Sequence, residues 1–252
     1  MSDIGLKKDC LPENTRKVFE WLAAEPLLKD FILMGGTALA LQIGHRFSED
    51  LDFWIPNEVL SKPEIAKIIK LANDNKFNPE LAMSSNSIIA AKINGLDLLL
   101  YSQDYKINNV KVTFFARNDG PYQYFNGFDK ISSNDISFSI MAEEGMLAMK
   151  SYVIHQRTRS RDIFDLYSLM KKGCSLNSIL DYGKKADAAS SIEYAKAVLI
   201  GLIPLDEDDE GLEAIGETLS MTDMYDFFKQ AVDDHEVAMT GQLKTILKNA
   251  FD

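Results

Sequence analysis

Residues 31–56, FILMGGTALALQIGHRFSEDLDFWIP, constrain the fold more than any other stretch of the chain. Residues 31–34 form a short apolar run, and Gly35, Gly36 and Thr37 break it. Residues 38–43 then read as a short helix closed by Gly44. A polar connection over residues 45–49 leads into residues 50–55, DLDFWI, which read as a strand stopped by Pro56. Alternation along a strand sends Asp50 and Asp52 to one face and Leu51 and Phe53 to the other. The rise per strand residue sets the two aspartate Cα atoms about 6.6 Å apart. That separation suits two carboxylates converging on one or two divalent cations. Without a cation the arrangement is unfavourable, because aspartate is disfavoured in strands and neighbouring like charges raise each other's pKa. Taken alone, the pair also fits the solvent face of an edge strand.

The glycine turn shifts that balance. A glycine pair at a helix start exposes backbone N–H groups at the positive end of the helix dipole, where a phosphate binds readily. Thr37 adds a hydroxyl there. A phosphate cradle and a carboxylate pair on neighbouring elements of one unit together describe a nucleotide site.

Gly-Gly-Thr, twelve intervening residues and then Asp-x-Asp resembles the first motif of the DNA polymerase β-like nucleotidyltransferases. The fuller text, GGTALALQIGHRFSEDLDFW, more closely resembles the AbiEii/AbiGii family of abortive-infection nucleotidyltransferase toxins. With a second block near Lys150, the resemblance covers roughly the first 170 residues.

Composition bounds the rest. The chain has 252 residues, 46% hydrophobic and 10% aromatic, a globular composition long enough for one large domain or two small ones. Two cysteines, Cys10 and Cys174, stand far apart without partners at metal spacing, which fits a reducing cytoplasm. The opening MSDIGLKKDCLPENTRK carries no apolar core of leader length, and no stretch approaches the roughly 18 apolar residues of a membrane span. The net charge of −11 is concentrated late: residues 173–252 hold 16 Asp/Glu against 6 Lys/Arg, and the first 172 residues hold 22 against 21. That asymmetry argues against the last third lying along nucleic acid.

Patterning predicts an α/β opening followed by helices. Residues 12–28 and 57–75 read as helices from their apolar stripes, with Pro12 suited to a first turn. Residues 87–93 (SIIAAKI) read as a strand, Asn94-Gly95 as a hairpin turn, residues 96–101 as a second strand and residues 110–116 (VKVTFFA) as a third, with QDYKINN as a polar link. From residue 138 onward helices are expected, over residues 138–156 and 161–171 and in three or four later segments, with Ser160 as an N-cap. The acidic run at residues 206–210 reads as a solvated loop. The predicted class is α+β: a polymerase β-like core with a mixed sheet over residues 1–137, then an all-helical domain over residues 138–252.

Lys150 is the one charged residue in an otherwise apolar helical segment, where a lysine either snorkels to the surface or meets an anion. Downstream, Asp162 and Asp165 fall one helical turn apart on one side. On local grounds Asp162 favours the helix dipole, and Arg157 or Arg159 pairs with an acid. A lysine, a basic link and then Arg-Asp-x-x-Asp-Leu also resembles the second block of the toxin family. That resemblance implies phosphate contact for Lys150, an active-site role for Asp162, and a structural role for Asp165.

The resemblance further implies magnesium held by Asp50 and Asp52, and an NTP whose phosphates meet Gly35, Gly36, Thr37, Arg46 and Lys150. It implies transfer of NMP to an acceptor, a tRNA 3′ end, by the toxin of a toxin–antitoxin pair with a cognate antitoxin partner. The superfamily's third carboxylate comes from a later strand, and Thr113 stands at the matching place. Two carboxylates then suffice, or Asp97 supplies the third, or catalysis is weakened, the last allowing a nucleotide-binding or partner-binding protein of the same fold. A phosphohydrolase would need accompanying histidines, and the chain has only His45, His155 and His235. The basic cluster Arg157, Arg159, Arg161, Lys171 and Lys172 is the best local candidate for phosphate-backbone contact, and it fits the solvated end of two helices equally well.

Overall fold

Alternation of apolar and polar residues builds a mixed sheet in the first part of the chain, and helical stripes build the rest. The computed structural model describes residues 5–216 and 218–251, with side chains to Gly241. Residues 1–4, at the head of the segment read as carrying no leader, lie outside the described residues. Contacts divide the chain into two compact units, Met1–Met146 and Leu147–Asp252.

The first unit contains α1 (Glu13–Ala23), β1 (Ile32–Met34), α2 (Gly35–Ile43), β2 (Leu51–Ile55), α3 (Lys62–Asp74), β3 (Glu80–Leu81) and α4 (Ser85–Ile93). It continues with β4 (Ser102–Ile107), β5 (Val110–Ala116), α5 (Gly120–Asn126), β6 (Lys130–Ser133), β7 (Ile136–Met141) and the start of α6 (Glu143–Val153). The seven strands lie in the order β3-β4-β5-β2-β1-β7-β6. β2 runs parallel to β5 and β1 parallel to β7, and the other neighbours are antiparallel. The sheet is therefore mixed, as the class requires.

One face carries Leu33, Phe53, Phe114 and Phe138, all buried. Phe53 meets Phe138 edge-on at 4.9 Å, and Phe19 of α1 meets Phe138 at 5.7 Å. Val18, Phe19 and Leu22 of α1 and Ile65, Ile68 and Ala72 of α3 supply the buried stripes expected of those helices. The other face carries Asp52, Trp54, Thr113 and Phe115, and Tyr122 of α5 lies against Trp54 and Phe115.

Several local expectations are corrected. SIIAAKI is helix α4, with Ser84 accepting from the Ser87 backbone, because a short apolar run fits either period. Asn94-Gly95 ends that helix, with Gly95 at φ +79°, and residues 96–101 are a coil containing the 3-10 turn Leu98–Leu100. The supposed link is strand β4. The hairpin turn is Asn108-Asn109, both at positive φ, as a tight turn between β4 and β5 demands. Residues 136–141 alternate Ile, Ser, Phe, Ser, Ile, Met and form β7, so the helix expected from residue 138 starts at Glu143. The opening helix is two pieces, α1 and a 3-10 turn at Pro26–Leu28, and the helix expected from residue 57 starts at Lys62.

The second unit is helical: the rest of α6, then α7 (Ser160–Lys171), α8 (Leu176–Ala186), α9 (Ile192–Leu199) and α10 (Met221–Phe251). Tyr167 of α7 meets Phe227 of α10 edge-on at 4.8 Å, and Met224 and Phe228 are fully buried.

Candidate active site

In the first unit the site begins where β1 becomes α2. The helix starts at Gly35, three residues before the expected point, so both glycines lie in its first turn. Its N-cap residue, Met34, offers no side-chain cap. The first-turn N–H groups thus depend on something other than a side chain at that position. The register sets Met34 opposite Asp52. Gly35 has φ +75°, and a Cβ there would fall 2.5 Å from Asp52 Oδ2. A Cβ on Gly36 would fall 2.0 Å from Arg46 Nη2. The glycine pair therefore lets a carboxylate and a guanidinium lie directly on the backbone at a helix N-terminus.

Thr37 and Arg46 are 1% and 3% exposed. The Thr37 hydroxyl bonds Ser48 Oγ at 2.8 Å and also donates to the Asp50 carbonyl. The hydroxyl expected to meet phosphate thus fixes the chain where it enters β2. Arg46 Nη1 donates to the Phe47 carbonyl at 3.0 Å, which orients its guanidinium. Ser48, missed from sequence, belongs to this support; a serine in a polar connection carries no signal until its partner is known.

On the other flank of β2, Thr113 of β5 is level with Asp52, and Asp104 of β4 is level with Thr113. Thr113 is therefore the cross-strand neighbour of Asp52. Asp97 lies outside the sheet, at the N-cap of a 3-10 turn, where it pairs with Lys62. The Lys62 ammonium holds its carboxyl below the usual carboxylate range.

Among the described residues no three His, Cys, Asp or Glu side chains form a metal-binding group. The donor set that fits a hard cation is the pair Asp50 and Asp52. Magnesium is commonly bound by one or two carboxylates completed by substrate phosphates and water, so the pair fits without a third acid.

In the second unit, Lys150 does not snorkel. It is 4% exposed, with Nζ 2.5 Å from Asp162 Oδ1 and 2.6 Å from Asp165 Oδ2. Arg157 Nε donates to Asp162 Oδ2 at 2.8 Å. Burial alone would push the Asp162 carboxyl up, but Lys150 and Arg157 hold it below the usual carboxylate range. The turn spacing of Asp162 and Asp165 thus serves to clamp one ammonium between two carboxylates.

The acidic run is the loop expected, with Glu207, Asp208 and Glu210 exposed, and it also pairs with the arginine link. Asp206 accepts from the Thr158 backbone at 3.2 Å, Asp208 pairs with Arg159, and Glu210 lies 3.0 Å from Arg161. Asp209 accepts from both the backbone N and the hydroxyl of Ser160 at 3.0 Å. The N-cap position of α7 is Arg159, and Asp209 supplies from 49 residues beyond Ser160 the acceptor that Ser160 was expected to provide. The basic link expected to face nucleic acid is therefore paired within the chain.

A family model described as "Nucleotidyl transferase AbiEii toxin, Type IV TA system" matches residues 16–243. An uncharacterized protein of Aquifex aeolicus (strain VF5) is 27% identical over 163 residues, 64% of this chain and 68% of that protein. Among solved structures, a putative nucleotidyltransferase from H. pylori aligns with TM-score 0.43 and 18% identity, over 94% of this chain and 99% of that one. The Megavirus polyadenylate synthase aligns with TM-score 0.40 and 13% identity, over 62% of this chain; the match spans only 31% of the synthase.

Proposed function

The chain belongs to the AbiEii family of nucleotidyl transferase toxins, and we propose that it moves NMP from an NTP to an RNA acceptor with magnesium held by Asp50 and Asp52. The observation that carries this reading is the contact between Gly35 and Asp52. It joins a helix N-terminus, which favours phosphate, to a carboxylate, which favours a cation, with no side chain between them.

Bound magnesium supplies charge neutralisation for the triphosphate and acidifies the attacking hydroxyl. The rest is the work of the chain. Backbone N–H groups of Gly35 and Gly36 receive phosphate oxygens, and Arg46, oriented by the Phe47 carbonyl, adds positive charge beside them. Thr37, itself bonded to Ser48, donates to the Asp50 carbonyl and so fixes the backbone at the first of the two acids. Within the second unit, Asp162 and Asp165 hold the Lys150 ammonium in one position. The acceptor hydroxyl gives its proton to solvent, its oxygen forms a bond to the α-phosphorus, the bond from that phosphorus to the β-phosphate bridge breaks, and pyrophosphate leaves.

The acceptor we assign is a tRNA 3′ end, and the biological setting is a cytoplasmic toxin controlled by an antitoxin. No helix among the described residues is long and apolar enough to cross a membrane. Thr113 beside Asp52 supports a second reading, a protein that binds nucleotide with little turnover. Incubation with magnesium, labelled NTPs and total tRNA, beside an Asp50→Ala/Asp52→Ala variant, separates the two. Label entering tRNA only with the intact acids supports transfer, and NTP binding without label transfer supports the second reading.

A further inference from the structure

The face of the sheet that carries Asp52 has a second feature beside the two acids. Cross-strand partners project to the same face, and so do residues two apart along a strand. Asp52, Thr113 and Asp104 form one row across β2, β5 and β4. Lys111 lies two residues before Thr113 and Lys106 two after Asp104, so both share that face, and they are directly opposite each other. Both side chains are exposed. Two ammonium groups facing each other across a strand pair repel. Glu80 is level with Lys106 on the edge strand β3, yet among the described residues neither lysine takes part in an ion pair. The arginines of the basic link are different: Arg157 is held by Asp162, Arg159 by Asp206 and Asp208, and Arg161 by Glu210.

Strand order gives the lysine pair its meaning. The glycine start of α2 follows β1, on one flank of β2, and the lysines stand on β5 and β4, on the other flank. Asp52 lies between them. Phosphoryl-group transfer places the attacking and leaving oxygens roughly in line on opposite sides of phosphorus. If the α2 flank receives the leaving phosphates, the acceptor must approach from the β5–β4 flank.

We infer that Lys106 and Lys111 hold the phosphate backbone of the single-stranded acceptor end, and so guide its terminal hydroxyl toward Asp50 and Asp52. This rests on the nucleotidyltransferase reading above and adds the acceptor's seat to it. Lys111 is about 6.6 Å along β5 from the level of Asp52, a reach of two strand residues.

The test compares the full chain with a Lys106→Gln/Lys111→Gln variant and with a Lys67→Gln/Lys70→Gln control on exposed positions of α3. Two quantities are read: equilibrium binding of total tRNA across a salt series without NTP, and KM for tRNA and for NTP in the transfer assay. The sheet variant is expected to bind tRNA more weakly, with the log–log salt slope shallower by about 1.4, two single-strand phosphate contacts at about 0.7 each. KM for tRNA rises, KM for NTP stays, and the α3 control matches the wild type. An unchanged salt slope in the sheet variant overturns the proposal, as does a loss of NTP affinity in place of tRNA affinity. Because binding is read without turnover, absence of transfer in the wild type refutes only the enzymatic reading. A shallower slope then still supports the seat.

Discussion

Gly35 and Asp52 share one volume: a methyl group on Gly35 would sit 2.5 Å from an Asp52 carboxylate oxygen. Gly35→Ala must therefore displace the acid and force alanine into a left-handed backbone at φ +75°. The backbone term alone is about 1–2 kcal/mol, a fall of about 2–8 °C in melting midpoint for a chain of this size. Misplacing the carboxylate lowers transfer by about 10²-fold. Thermal melts and the tRNA-labelling assay read the two effects separately.

Removing the carboxylates should affect chemistry without the fold. Asp50→Ala/Asp52→Ala is expected to lose transfer by at least about 10²-fold while melting close to the wild type. Chelation of magnesium should give the same loss in the wild type and restore fully on adding the metal back. A wild-type rate in either case removes both acids from the mechanism.

Lys150→Met leaves Asp162 and Asp165 buried without their shared ammonium. Breaking a buried pair from one side costs about 3–5 kcal/mol, whereas removing all its charges together costs much less. The triple variant Lys150→Met/Asp162→Asn/Asp165→Asn should thus be more stable than Lys150→Met alone by urea denaturation. Equal stabilities would show that the cluster carries little buried-charge energy.

The same cluster sets a pH dependence. Asp162 is held below its ordinary value of 3.8, so the folded state binds its proton less tightly than the unfolded chain does. Its contribution is fully present above the unfolded value and is lost as pH falls through the lower folded one. Unfolding free energy measured downward from pH 5 should fall less steeply in Asp162→Asn than in the wild type. Parallel curves would assign acid sensitivity to other groups.

Asp209 caps α7 through Ser160 from a loop 49 residues away. Asp209→Ala should cost about 1 kcal/mol, the usual worth of an N-cap acceptor. The half-exposed pairs of Arg159 and Arg161 with their acids should each contribute less than about 1 kcal/mol and weaken with salt. Melts of Asp209→Ala and Asp208→Asn at low and high salt rank the two effects.

Elements with one dominant signal were legible directly. Gly-Gly-Thr followed by Asp-x-Asp announced the strand–helix–strand unit, and the stripes of residues 62–74 and 160–171 announced helices. Ambiguous signals failed. SIIAAKI carries no strict period, and Asn94-Gly95 suits a helix end as well as a hairpin. The alternation in ISFSIM was hidden beside a strongly helical stretch. Asp104 went unnoticed because its strand looked like a polar link.

From the residues alone came the types of chemistry available: a backbone turn that tolerates no side chain, a pair of strand carboxylates, and a lysine and an aspartate in a helical region. Local rules suffice there, because backbone freedom, strand alternation and helical spacing act over a few residues. Partners were another matter. That Gly35 is a glycine for the sake of Asp52, that Thr37 holds Asp50, that Lys150 lies between two acids, and that the acidic run closes on the arginine link depend on strand order and through-space contact. Such pairings join residues as much as 49 positions apart. No local pattern encodes them, because charge and hydrogen bonding are satisfied by whichever group the fold brings near.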